Sequence, residues 1–289
     1  MDTSTVSAAV DHYQRYGYTV LRNVFAPGEI ASFRQECMTK GRDVLIGPRD
    51  FGGLLLSEKI IDPLHRLLGP RVVYFGLASS RYGDEAAYWS SRHFHVDARS
   101  DNFDYTQTYP LVRVAIYLQD HDVYSGGLKL RPASWTRYCV EQYGVRRLIR
   151  QVFRERSLRQ VRPAPGSINL STRAGDMVIW NLRLHHAGYA VRVARAPECS
   201  FHPLIENLIP QALQLPEQHL RCVIFAAYGA PSLYLDRFVE NRWRIPAIVD
   251  HWKQSGAFDP DIQQLAKSRG LEFRLAHREW RFASRSIGG

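Results

Sequence analysis

Cysteine is scarce. The 289-residue chain has four, Cys37, Cys139, Cys199 and Cys222, far apart and never in a CxxC pair. That argues against a disulfide scaffold and a cysteine-held metal, and it suits a reducing, cytoplasmic setting. No segment approaches the roughly 18 uninterrupted apolar residues of a membrane helix. The opening "MDTSTVSAAVDHYQRYG" has no basic region leading into an apolar core, so no secretory leader is expected. Acidic residues are the minority charge, 28 against 38 basic ones, for a formal net charge of +10. Long basic runs are nevertheless absent: arginines are scattered from Arg15 to Arg285 with no aromatic stacking motif among them. Nucleic acid needs clustered cations, so a small anionic ligand held by one buried arginine is the better expectation.

What is present is a globular composition, 45% apolar and 23% charged. Neither a repeat nor a convincing linker divides the chain, so residues 1–289 are expected to form a single domain; a homo-oligomer is compatible with the pattern. Near-helical spacing of Val6, Ala9, Val10 and Tyr13 predicts a helix over about Thr5–Tyr16, ended by Gly17 and followed by the strand candidate "YTVLRNV". A second helix starts near Pro27 with Ile30, Phe33 and Cys37 on one side. "GPRDFGGLLL" reads as a loop, and "KIIDPLHRLLG" as a short helix broken at Gly69-Pro70. Beyond it lie short β-rich runs, among them "RVVYFGLASSRYG", "LVRVAIYLQD", "GGLKLRPA", "DMVIWNLRL" and "RCVIFAAYG". Many strands without regular intervening helices predict a sandwich or barrel. Helical pieces return around "IPAIVDHWKQSG" and "DPDIQQLAKSRG". His121 and Asp122 read as solvent-facing loop residues.

Two patches carry chemistry. In "HFHVD" an extended backbone puts His93, His95 and Asp97 on one side, offering imidazole nitrogen and carboxylate oxygen to one ion. In "GDMVIWNLRLHHAG" an apolar run leads into His185 and His186. Two histidines and one carboxylate on one face leave octahedral positions open, which suits a non-haem Fe(II) oxygenase more than a closed zinc site.

Taken in order, these segments resemble the phytanoyl-CoA dioxygenase family of Fe(II)- and 2-oxoglutarate-dependent oxygenases. The resemblance runs from "YQRYGYTVLRNVFAPGEIASFR" through "HFHVD", "YSGGLKLRPASW" and "GDMVIWNLRLHHAG" to "RCVIFAAYG", roughly Tyr13 to Gly229. It implies a mainly β fold with flanking helices around a double-stranded β-helix (jelly-roll, cupin-like) core. Fe(II) would be the metal, and 2-oxoglutarate and dioxygen the cosubstrates. His95 and Asp97 are implied as ligands, with His186 as the third by its distance from Gly175-Asp176; His185 replaces it if the turn differs by one residue. The cosubstrate arginine is implied at Arg221, heading the strand-like "CVIFAAYG", with Arg195 as the fallback. Segment 197–220 then reads as an insertion, and 230–289 as a mixed helical extension. Ala187 and Gly188 cannot supply the hydroxyl that the family often has there, so Tyr117 or Thr108 is expected to help. Trp89, Phe94, Phe103 and Trp180 are candidate substrate walls, and Arg92, Arg99, Asn181 and Arg183 candidate polar anchors. For Trp180 core packing competes with that role, and for Arg99 a solvent-facing one.

The activity implied is oxidation of a small organic molecule, with hydroxylation in specialised metabolite biosynthesis expected first. Desaturation, ring closure or epoxidation at the same centre is the alternative, while Asp97 disfavours halogenation. Modification of a macromolecule and a cupin-like binding protein are the competing readings.

Overall fold

Local signals shape the N-terminal elements. Helix α1 (Thr3–Tyr16) ends where Gly17 takes a φ of 79° and its N–H donates to Tyr13 O, and β1 (Tyr18–Leu21) follows directly. Helix α2 (Pro27–Lys40) opens on proline, and the Glu29 carboxylate accepts from the Ala26 N–H at 2.7 Å. It buries Ile30, Phe33 and Cys37, the side expected from their spacing. After β2 (Val44–Leu45), the glycine-rich segment expected as a loop winds into a 3-10 stretch, Asp50–Leu56, with Phe51, Leu54, Leu55 and Leu56 buried. Helix α3 (Glu58–Leu68) is capped by Ser57, whose Oγ accepts from the Lys59 N–H at 3.3 Å.

The computed structural model describes residues 3–83, 93–98, 109–136, 166–201, 203–217, 221–243, 245–256 and 259–274. After α3 strands dominate: β3 (Val72–Gly83), β4 (Leu111–Tyr117), β5 (Lys129–Leu130), β6 (Ile168–Asn169), β7 (Met177–Asn181), β8 (His186–Ala187) and β9 (Arg221–Gly229). A short helix, α4 (Pro203–Glu206), lies before β9; α5 (Leu233–Trp243), α6 (Pro246–Gln254), α7 (Pro260–Ser268) and β10 (Leu271–Phe273) follow it.

The larger sheet runs β1-β7-β4-β9-β3-β10, with β2 also on β3. Its pairings are antiparallel except β10 on β3. A smaller antiparallel sheet, β6-β5-β8, lies apart from it, and His95 adds to it by bridging His186. The result is a curled, partly open mixed sheet with flanking helices, in a jelly-roll-like arrangement.

Alternation explains which side chains meet. On β4, β7 and β9, Val112, Val114, Ile116, Met177, Ile179, Cys222, Ile224, Ala226 and Tyr228 share a core with residues of α2 and α3. The intervening residues turn the other way. Ala115, Tyr117, Val178, Trp180 and Val223 pack with Leu128, Leu130 and Leu184 from the smaller-sheet side. Arg113 and Arg221 share their parity. A third core joins β3 and β4 to α5 and α6, where the Trp252 indole N–H donates to Gly76 O at 2.5 Å.

A further sequence expectation changes. His121 is buried at 1% exposure, not solvent-facing: its ring packs at 5.1 Å on Tyr117 and its nitrogens meet Gln119 and Thr172 at 3.3 Å. β10, three residues at the chain's far end, returns to the sheet beside β3.

Candidate metal centre

The "GD" ahead of β7 sets where that strand begins. Gly175 has a φ of 94°, and a Cβ there would lie 2.6 Å from Phe25 O. Asp176 is 1% exposed and accepts from Arg22 Nη1 at 2.6 Å, the Asn23 N–H at 3.0 Å and the Arg173 N–H at 2.8 Å. β7 leaves this anchor, crosses the larger sheet, and turns at Leu182–His185 to enter the smaller sheet as β8.

The "HFHVD" segment lies against that turn. His95 N donates to His186 O at 2.8 Å and His186 N to His95 O at 3.0 Å, while Asp97 N donates to Leu182 O at 3.0 Å. These backbone bonds bring His95, Asp97 and His186 together, each offering a ligand atom within 4.8 Å of the others. Among the described residues this is the one such cluster of three or more histidines, cysteines or acids. His185 is not part of it; its N–H takes the Ser134 hydroxyl oxygen at 2.9 Å and its carbonyl accepts from the Arg131 N–H at 2.9 Å. His93 also lies outside the cluster, although its parity matches His95.

Charge and protonation favour a cation here. Burial pushes the His186 pKa down to about 3, and the neighbouring His95 adds to this against the pull of Asp97. His186 is thus neutral at pH 7. Its Nδ1 lies 2.9 Å from Leu184 O, so the proton sits on Nδ1 and the Nε2 lone pair turns to the cluster. His95 Nδ1 lies likewise 3.2 Å from the His93 carbonyl. Burial opposes ionisation of Asp97, yet Arg113, His186 and His95 outweigh it and hold the carboxyl well below the usual carboxylate range. Two imidazoles, that of His186 held neutral, and a carboxylate are the donor set of a non-haem Fe(II) site, so the residues fit that metal.

Between the sheets the polar groups line up away from the cluster. The Trp180 ring is 5.3 Å from His186, and Phe225 is 6.3 Å from Trp180. The Arg221 guanidinium lies 5.8 Å from the Phe225 ring. Arg221 is 4% exposed; burial and the charge of Arg81 push its pKa down to about 9, offset in part by Asp43. Trp180 Nε1 and Tyr117 Oη are buried on this same inward side, and neither has a hydrogen-bond partner among the described residues. Buried donors without acceptors are costly, so a polar ligand between the sheets would satisfy them.

The other sequence candidates separate. Arg195 is exposed in the turn between Val193 and Ala196. Phe94 is buried, with the Lys129 ammonium 5.3 Å and the Arg131 guanidinium 4.6 Å from its ring. Asn181 spends its amide on the fold, donating to Tyr13 Oη at 3.2 Å and Tyr109 O at 2.8 Å and accepting from the Arg183 N–H at 3.0 Å. The Arg183 guanidinium is buried 4.2 Å from the Tyr109 ring and 5.0 Å from that of Tyr234. Trp89, Arg92, Arg99, Phe103 and Thr108 lie outside the described residues. Sequence reasoning missed Arg113, whose Nε donates to Asp97 Oδ2 at 3.1 Å; its one signal is a lone charge inside the apolar run "LVRVAIY".

A scan against protein-family models and a search of curated proteins return no match. Solved structures do match. The non-heme alpha ketoglutarate dependent epimerase SnoN from nogalamycin biosynthesis aligns at a TM-score of 0.50 and 16% identity, over 79% of this chain and 82% of that one. Apo HygX from Streptomyces hygroscopicus aligns at a TM-score of 0.50 and 16% identity, over 77% and 86%. The chain shares their fold. Among the described residues, no helix is long and apolar enough to cross a membrane.

Proposed function

We propose that this chain is an Fe(II)- and 2-oxoglutarate-dependent oxygenase, similar to the phytanoyl-CoA dioxygenase family, that oxidises an unactivated C–H bond of a small organic molecule. Hydroxylation is the outcome proposed first. The core is read as a double-stranded β-helix in a single domain, with 197–220 inserted and 230–289 appended. One observation carries the reading: His95, Asp97 and His186 come from segments about 90 residues apart in sequence, yet their ligand atoms lie within 4.8 Å.

In this reading His95, Asp97 and His186 hold the metal. Fe(II) bound there would supply dioxygen activation coupled to decarboxylation of 2-oxoglutarate to succinate. The chain's own residues then do the positioning. Arg221 clamps the distal carboxylate with its guanidinium, and Tyr117 Oη donates a second hydrogen bond to it. The Trp180 indole N–H gives the cosubstrate another donor nearer the metal. Val178, Val223 and Phe225 wall the space between and exclude water. His186 remains neutral, its proton held on Nδ1 by Leu184 O.

Anaerobic titration of the Fe(II)-loaded protein with 2-oxoglutarate tests this reading. A cosubstrate-dependent visible absorption band is expected in the wild type, and none in His186→Ala. Arg221→Ala should keep iron but weaken 2-oxoglutarate binding by at least about tenfold, the scale of a lost charged hydrogen-bonding partner. An Arg221→Ala protein with unchanged cosubstrate affinity would move the clamp elsewhere, and iron-loaded wild type that forms no band would end the reading.

A further inference from the structure

His121 sits where an apolar ring would be expected. It is buried together with Gln119 and Thr172, and none of them belongs to the metal cluster. Burying polar side chains costs free energy unless each finds a partner. Here each does. The His121 N–H donates to Thr172 O at 2.7 Å, its Nδ1 lies 3.3 Å from Thr172 Oγ1, and its Nε2 lies 3.3 Å from Gln119 Nε2. Gln119 Oε1 in turn accepts from the Cys222 N–H at 2.7 Å. Room for the imidazole comes from the glycines of "YSGG". Gly127 has a φ of 77°, and a Cβ there would lie 3.0 Å from His121 Cγ.

The order of donors in this relay is fixed. Because Oε1 is taken by Cys222, the amide nitrogen of Gln119 faces the ring, and that nitrogen can only donate. His121 Nε2 therefore accepts, and the ring proton sits on Nδ1, aimed at Thr172 Oγ1. Burial and the charge of Arg192 push the His121 pKa down to about 3, against Asp122, so the ring is neutral at pH 7 as the relay needs. The relay ends where β9 begins. β4 pairs with β9 as far as Tyr117–Val223, and beyond that pair the Cys222 N–H goes to the Gln119 side chain. Cys222 directly follows Arg221, and the Tyr117 ring meets His121 edge-on at 5.1 Å. One imidazole thus supports both groups assigned to the cosubstrate carboxylate, Tyr117 by packing and Arg221 through Gln119 and the Cys222 backbone.

We propose that His121 is a positioning residue for the cosubstrate: through the Gln119 amide and the Tyr117 ring it fixes the start of β9 and directs Arg221 and Tyr117 Oη toward one carboxylate. This rests on the functional reading above. A phenylalanine at 121 would fill a similar volume but leave the Gln119 amide without its acceptor, free to turn away from Cys222. His121 itself touches neither metal ligand nor cosubstrate in this scheme.

The test reads the strand and the cosubstrate separately. In the metal-free protein, NMR-detected amide exchange at Cys222 should be about tenfold faster in His121→Phe than in the wild type, the scale of one lost buried hydrogen bond. It should slow again in His121→Gln, whose amide oxygen can take the place of Nε2. In the Fe(II)-loaded protein without oxygen, 2-oxoglutarate affinity should fall by about tenfold in His121→Phe and largely return in His121→Gln, while Co(II) affinity stays unchanged in both. Gln119→Leu should give the same loss and the double variant no more, because both changes act on one contact. If His121→Phe folds poorly, Gln119→Leu carries the same measurements. Unchanged exchange and affinity in His121→Phe, a loss that glutamine does not restore, or losses that add in the double variant would each overturn the proposal. A wild type that binds no 2-oxoglutarate, or binds it equally after Arg221→Ala, would instead bring down the functional reading, and the proposal with it.

Discussion

His186 and His185 are one position apart, and the strand assigns them different surroundings. His186 is tied by backbone bonds to His95 and by Nδ1 to the Leu184 carbonyl, leaving Nε2 for the cluster, whereas His185 is tied by its own backbone to Ser134 and Arg131. Replacing His186 with alanine should lower Co(II) affinity by more than about 100-fold, beyond the usual cost of losing an outer-shell partner. His185→Ala should leave it nearly intact; calorimetric titration of both variants decides. A second prediction concerns protons. Burial holds both His121 and His186 down to about 3, against an unfolded value near 6.5. A depressed folded pKa means the stabilisation is complete above the unfolded value and is lost as pH falls from about 6.5 toward 3. Each such histidine contributes a slope of about 1.4 kcal/mol per pH unit in that window. Urea unfolding of the metal-free protein between pH 7.5 and 4.5 should show this fall, and His121→Asn should remove one histidine's share of it. A slope insensitive to that substitution would mean that His121 is not buried as a neutral ring.

Among the elements, β5 stands out because it is two residues long and connects distant parts of the chain. Leu130 pairs with His186 and faces inward, while Lys129 pairs with Ala187 and points outward. There its ammonium meets the Glu206 carboxylate of α4 at 2.8 Å, with both side chains fully buried. The segment read from sequence as an insertion is therefore fastened to the sheet that carries His186 of the cluster. Breaking a buried pair strands the remaining charge, so Lys129→Met should cost about 3–5 kcal/mol in urea unfolding. Adding Glu206→Leu should recover most of that loss, because a matched apolar pair leaves no charge behind. Failure of the double variant to recover would mean that α4 is not held through this contact. Little of this was legible beforehand. "GGLKL" shows a lone lysine in an apolar run, but its partner is 77 residues away. The helices α1, α2 and α3 were legible, because caps, glycine stops and apolar spacing act within a few residues.

At the scale of the molecule, the cluster sits at a seam. His95 and His186 belong to the smaller sheet, while Asp97 is bonded to the Leu182 carbonyl in the turn from the larger one. An ion bound there joins both sheets and is lost when either unfolds. Metal at 100 times its dissociation constant should therefore add about 2.7 kcal/mol to global stability, visible as a higher melting temperature with Co(II). The gain should vanish in His186→Ala. A metal-dependent shift that survived this substitution would place the ion at another site.

By itself the sequence determined which histidines and carboxylate stand in the two patches and the local grammar around them. Residues two apart on extended chain share a side, and the glycine and aspartate before β7 begin a strand at a set distance from His186; both are short-range effects of backbone geometry. Tertiary structure alone decided that the two segments meet, that Arg113 takes one oxygen of Asp97, and that His121 and Lys129 lie inside. Those outcomes depend on contacts between residues far apart along the chain, whose cost of burial is offset only once the opposing sheets and helices have closed on them.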